Sequence, residues 1–116
     1  MSRRFLILAE GNFGPLSSKT ANACIRYVPT EVVAVLDSTQ VGRTAHDVLG
    51  FGGDIPVVAS FADGLAHRPS ALLIGIAPAG GQFSPAWRRV VGDALRAGLD
   101  VWSGLHTMLG DDQEFA

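Results

Sequence analysis

The sequence predicts an α/β domain: a three-layer αβα sandwich built on a five-stranded parallel sheet in the order 3-2-1-4-5. Three observations carry this. Phe5-Leu6-Ile7-Leu8-Ala9 is an unbroken apolar run, as are two later stretches, and strands buried on both faces of a parallel sheet read in this way. The first run breaks at Gly11 and Gly14, and Ser17-Ser18-Lys19-Thr20 then opens a helix, giving the strand, glycine turn and helix that begin a nucleotide-binding βαβ unit. Strand-like and helix-like segments alternate to the end, with connections long enough for parallel crossovers.

The elements follow in order. The first strand occupies the run from Phe5, and the first helix ends near Arg26. Tyr27-Val28-Pro29 makes a turn, because proline disfavours helix in the residue before it. Glu31 to Leu36 is a second β-branched strand ending at Asp37, and Ser38-Thr39-Gln40-Val41-Gly42 is a polar loop. Arg43 to Leu49 forms a short helix stopped by Gly50. Ile55 to Ala59 is a short strand whose proline suits an outer position in the sheet. Ser60 caps a brief helix, with Asp63 where a capping-box acid would stand. Ala71 to Ile76 is the third wholly apolar strand. Ser84-Pro85 starts the longest helix, Pro85 to Ala97, whose apolar stripe is Val90, Val91, Ala94 and Leu95, and Gly98 ends it. Asp100 to Ser103 is the last strand, Leu105 to Leu109 reads as a helical turn, and an acidic tail follows.

Composition narrows the function classes. The 116 residues make one domain, 1–116, 47% hydrophobic and 17% charged, with a net charge of −2. No basic patch stands out, so nucleic acid is not an expected partner. The single cysteine, Cys24, cannot form an internal disulfide and reads as a small apolar residue on the inner face of the first helix. No apolar run reaches the roughly 18 residues of a membrane span, and Glu10 and Gly11 interrupt the first run too early for a signal peptide. A cytoplasmic location is expected.

In an open parallel sheet the ligand crevice lies beyond the carboxyl ends of the strands, where the winding reverses. The loops that converge there are 10–18, 37–42, 77–84 and 103–107, all rich in glycine or hydroxyl residues. Gly11-Asn12-Phe13-Gly14 lacks the G-x-G-x-x-G spacing, with Phe13 and Pro15 where small residues belong. Ser18-Lys19-Thr20 lacks the glycines of a Walker A loop, although Lys19 and nearby amides can still meet a phosphate. Asp37 ends the second strand, from which an acid either accepts from ribose hydroxyls or caps a loop, and Thr39 and Gln40 can bond the same ligand. Glu10 and His106 are the acid and imidazole expected in the crevice, a pair suited to proton transfer. No spacing of His, Cys and Asp resembles a metal site, so none is expected.

Taken together, Leu8-Ala9-Glu10-Gly11-Asn12-Phe13-Gly14, Ser18-Lys19-Thr20-Ala21-Asn22, Val35-Leu36-Asp37-Ser38-Thr39, Gly50-Phe51-Gly52-Gly53-Asp54-Ile55-Pro56-Val57, Gly75-Ile76-Ala77-Pro78-Ala79-Gly80-Gly81 and Ser103-Gly104-Leu105-His106-Thr107 resemble the N-terminal Rossmann-like domain of a bacterial and archaeal family of unknown function. The resemblance implies a following P-loop domain, in cis or in trans, and for some members N-acetyl transfer to D-amino acids such as D-glutamate. A looser similarity runs to the CoA-binding domain of acyl-CoA synthetases, and an acetyltransferase needs acetyl-CoA. On this basis the phosphorylated part of acetyl-CoA or a nucleotide is expected over Gly11, Asn12, Gly14, Ser18 and Lys19 and over Ala77, Gly80 and Gly81. Asp37 and Thr39 would take the sugar, and Glu10 and His106 would face the reacting group. The chain is expected to be a fragment or a stand-alone homologue without the P-loop domain, not active alone, and homo-oligomeric. An NAD-dependent epimerase or dehydrogenase-like domain and a non-catalytic oligomerisation module are the alternatives.

Overall fold

A computed structural model describes residues 4–11, 13–14, 19–75 and 85–103. Its strands are β1 (Phe5–Leu8), β2 (Val32–Leu36), β3 (Val57–Val58), β4 (Ala71–Ile74) and β5 (Asp100–Ser103). They form one sheet in the order β3-β2-β1-β4-β5, and every pairing is parallel. The helices are α1 (Lys19–Tyr27), α2 (Ala45–Leu49), α3 (Phe61–Leu65) and α4 (Pro85–Arg96). The expected fold class and strand order are both found.

The apolar runs explain the layering. Successive residues of a strand point to opposite faces, so β1 supplies Phe5 and Ile7 to one core and Leu6 and Leu8 to the other. The first core is closed by Ala21, Cys24 and Ile25 of α1 and Ala45 of α2. The second is closed by Trp87 and Ala94 of α4, with Phe61 of α3 packed against it. All four residues of β1 are 1% exposed or less, which puts this strand at the centre of the molecule. Trp102 of β5 meets Phe5 edge to face, with ring centroids 5.8 Å apart.

Two glycines set how closely the layers approach. A Cβ on Gly64 of α3 would stand 2.6 Å from Leu6 Cδ2. A Cβ on Gly75, just after β4, would stand 2.7 Å from Ile7 Cγ2 and 2.8 Å from Ala21 Cβ. At both places only a hydrogen fits.

Local structure departs from the sequence expectation at several boundaries. The turn before β2 is a 3-10 turn over Pro29–Glu31, so Glu31 lies outside the strand. β3 shrinks to two residues: Pro56 instead forms an antiparallel bridge to Thr44, which with Val57 N donating to Arg43 O closes the outer edge of the sheet. α2 starts at Ala45 behind a complete capping box, with Asp47 N donating to Thr44 Oγ1 and Thr44 N to Asp47 Oδ2. Leu95 is 60% exposed instead of buried, because α4 faces the sheet through Trp87, Val90, Val91 and Ala94. Gly98 does end α4 in the left-handed region, at φ +85°.

Candidate functional site

The parallel pairing brings the carboxyl ends of all five strands to one edge of the sheet. The order reverses between β1 and β4, which are neighbours although α1, β2, α2, β3 and α3 lie between them in sequence. At that point Gly75 N donates to Leu8 O at 2.9 Å, and Ala21 N, in the first turn of α1, donates to Gly75 O at 2.9 Å. The end of β4 thus takes one of the first-turn amides of α1, a group that has no partner within its own helix.

Beside it, the loops after β1 and β2 are tied by two carboxylates that cross in opposite directions. Asp37, ending β2, reaches back to the loop after β1: Gly11 N donates to Oδ1 and Phe13 N to Oδ2, each at 3.0 Å. Glu10, ending β1, reaches forward: Ser38 N donates to its Oε1 at 2.8 Å and Ser38 Oγ to its Oε2. Thr39 N and Thr39 Oγ1 also donate to Asp37 Oδ1, at 2.9 and 2.6 Å. Gln40 Nε2 returns to Phe13 O at 3.4 Å, and Asn22 Nδ2 of α1 donates to Gly14 O at 2.8 Å.

Asp37 is wholly buried, the one polar or charged residue in the described core. Burying a carboxylate is tolerable only when donors replace its water, and bonds to an ionised acceptor are the stronger kind. The four donors from Gly11, Phe13 and Thr39 do this. The Phe13 ring is buried in the same core as Ile7 and Ala21, so the loop is anchored by its side chain as well as its backbone. That accounts for a bulky residue where a dinucleotide loop would have a small one: it faces inward.

Of the residues singled out from sequence, Glu10, Gly11, Gly14, Asp37 and Thr39 are brought together at the carboxyl edge. Asp37 takes the loop-capping place, with its carboxylate on protein donors. Gly11 is in the left-handed region at φ +77°, the conformation for which glycine is suited. Only the backbone of Lys19 is described, as the first residue of α1. Asn12, Ser18, Ala77, Gly80, Gly81 and His106 lie outside the described residues. Phe13 and Ser38 lie in loops that the sequence places at this edge but assigns no role, and Asn22 of α1 is not expected there. No local pattern announces the bonds they make, since Glu10 and Ser38 are 28 residues apart in sequence.

Burial, and secondarily the charge of Glu31, pushes the Cys24 thiol up from 9.0 to about 12, which suits a packing residue and not a nucleophile. Among the described residues no three of His, Cys, Asp and Glu gather as a metal would require. Among them, too, no helix is long and apolar enough to cross a membrane.

This arrangement can be set beside known proteins. The model of DUF1611_N, a Rossmann-like domain of unknown function, matches residues 38–116. The chain belongs to this family. A solved DUF1611 family protein from Anabaena variabilis superposes with a TM-score of 0.80 at 31% identity, covering 90% of this chain and 30% of that one. A protein named D-glutamate N-acetyltransferase, from Tritonibacter scottomollicae, is 44% identical over 51 residues, which are 44% of this chain and 15% of that protein. The DUF1611_N domain described here therefore spans under a third of the solved relative.

Proposed function

We propose that this DUF1611_N domain is the cofactor-binding part of an N-acetyltransferase-like protein acting on a D-amino acid, and that it holds a phosphorylated cofactor, acetyl-CoA before a nucleotide, at the carboxyl edge of its sheet. The observation that carries the reading is the pair of loops after β1 and β2, joined to each other beside the switch between β1 and β4, the place where open parallel sheets take ligands. The relative named D-glutamate N-acetyltransferase supports the reaction class. A second, P-loop domain in cis or in trans would complete the site on this reading, and the assembled protein would be a homo-oligomer.

In the acetyl transfer the amine nitrogen bonds the thioester carbonyl carbon as its C–S bond breaks, CoA leaves as the thiolate and is protonated, and the proton that the amine gives up needs an acceptor. His106 is our candidate to accept that proton, because histidine is the side chain whose ordinary pKa lies nearest neutrality. Glu10 then serves by holding the turn at Ser38, which its carboxylate caps. In the protein assembled with its proposed P-loop domain, His106→Gln should lower kcat at least about tenfold with little change in KM. An unchanged kcat would remove His106 from the reaction.

Calorimetric titration of the chain with acetyl-CoA, ATP and NAD in turn tests the binding half of the proposal. Heat from acetyl-CoA with one site per chain is expected, and no heat from any of the three contradicts it.

A further inference from the structure

We infer that Asp37 is a specificity-determining residue that turns this edge away from dinucleotides bound through the glycine turn. The inference rests on the reading of the edge as a site for a phosphorylated ligand, and it narrows the ligand class. In a dinucleotide-binding βαβ unit the glycine-turn amides face a pyrophosphate, and the acid ending the second strand accepts from the ribose hydroxyls. Here those two groups satisfy each other. Gly11 N and Phe13 N donate to the Asp37 carboxylate at 3.0 Å, so neither amide is left for a phosphate oxygen.

The acid is likewise occupied. A carboxylate offers about four acceptor positions. Gly11, Phe13 and both donors of Thr39 supply four hydrogen bonds to this one, and the residue has no exposed surface. A ribose hydroxyl would have to displace a protein donor to reach it. Charge works in the same direction, because a buried negative group directly behind the turn repels a second anion that approaches the turn from solvent. The turn cannot simply rotate to free its amides, since the Phe13 ring is fixed in the core and its carbonyl accepts from Gln40 Nε2. A phosphorylated ligand at this edge, CoA with its own pyrophosphate included, is therefore held through other atoms than the Gly11 and Phe13 amides, and NAD, NADP and FAD are disfavoured in the mode that uses those two amides.

The test follows the amide resonances of the isotopically labelled chain during separate additions of NAD, inorganic pyrophosphate and acetyl-CoA, for the wild type and for Asp37→Asn. In the wild type the Gly11 and Phe13 amides are expected to exchange slowly and to stay in place with NAD or pyrophosphate at millimolar concentration. Asp37→Asn removes the charge and should raise pyrophosphate affinity at least about tenfold. Wild-type binding of NAD or pyrophosphate with shifts at Gly11 and Phe13 overturns the inference, as does a folded Asp37→Asn chain with no gain. If that variant does not fold, hydrogen exchange in the wild type decides alone: fast exchange at the two amides overturns the inference, and slow exchange supports it. Failure of acetyl-CoA to move any resonance counts against the proposed function only, and the dinucleotide additions still judge Asp37.

Discussion

Asp37 shows how one side chain sets the shape of two loops. Replacing it with alanine leaves the Gly11 and Phe13 amides without their acceptor and opens a small void. The Phe13 amide is buried, and an unsatisfied buried amide costs about 1–3 kcal/mol, whereas Gly11 is exposed and its amide can turn to water, so Asp37→Ala should destabilise the fold by about 2 kcal/mol, read from the urea midpoint. A loss well under 1 kcal/mol would mean that water reaches the Phe13 amide as well. Cys24 makes a separate prediction. Its thiol is pushed up from 9.0 to about 12 by burial and by Glu31, so the native state holds this proton more tightly than the unfolded chain does. The stabilisation is full below pH 9 and is lost as pH rises toward 12, which alkaline unfolding of wild type against Cys24→Ala will show. Below pH 9 the thiol should react with alkylating reagents only after denaturation.

At the scale of elements, the close approaches matter more than any single bond. Gly75→Ala puts a methyl group 2.7 Å from Ile7 Cγ2, 2.8 Å from Ala21 Cβ and 3.1 Å from Leu8 O, so α1 or β4 must move. Overpacking of this kind costs about 1–3 kcal/mol, and the upper end is expected because one of the atoms met is backbone. Gly64→Ala meets only the Leu6 side chain and should cost less, although Leu6 is fully buried and has little room to yield. Thermal or urea unfolding of the two variants checks the order. Thr44→Ala removes the oxygen that accepts from Asp47 N and should cost about 1 kcal/mol.

Much of this architecture is legible in the chain itself, and the rest is hidden for definite reasons. Unalternating apolar runs announce doubly covered strands, which is why the sheet and its order follow from the sequence. The Thr44-x-x-Asp47 box is also visible there, but a helix starting at Arg43 looks equally good until the bridge from Thr44 to Pro56 sets its start. Leu95 looks like part of the apolar stripe, yet it follows Ala94 by one residue and so turns about 100° around α4, away from the sheet. Asp37, Gly11 and Thr39 are each recognisable as edge residues, whereas the bond from Gly11 to Asp37 is not: the two lie 26 residues apart, and only the pairing of β1 with β2 brings them together.

For the molecule as a whole, the proposed division of labour gives the carboxyl edge of the sheet to the ligand and leaves the opposite edge as scaffold. That opposite edge is latched by Arg4, whose Nε and Nη2 donate to Arg68 O and His67 O at 2.9 and 2.7 Å. Mapping amide shifts on addition of acetyl-CoA compares the two edges in one experiment. Shifts are expected to concentrate at Glu10, Gly14, Ser38 to Val41 and Gly75, with Arg4, Arg68 and Ser70 unmoved. Shifts gathered around Arg4 and Ser70, or none anywhere, would contradict that division.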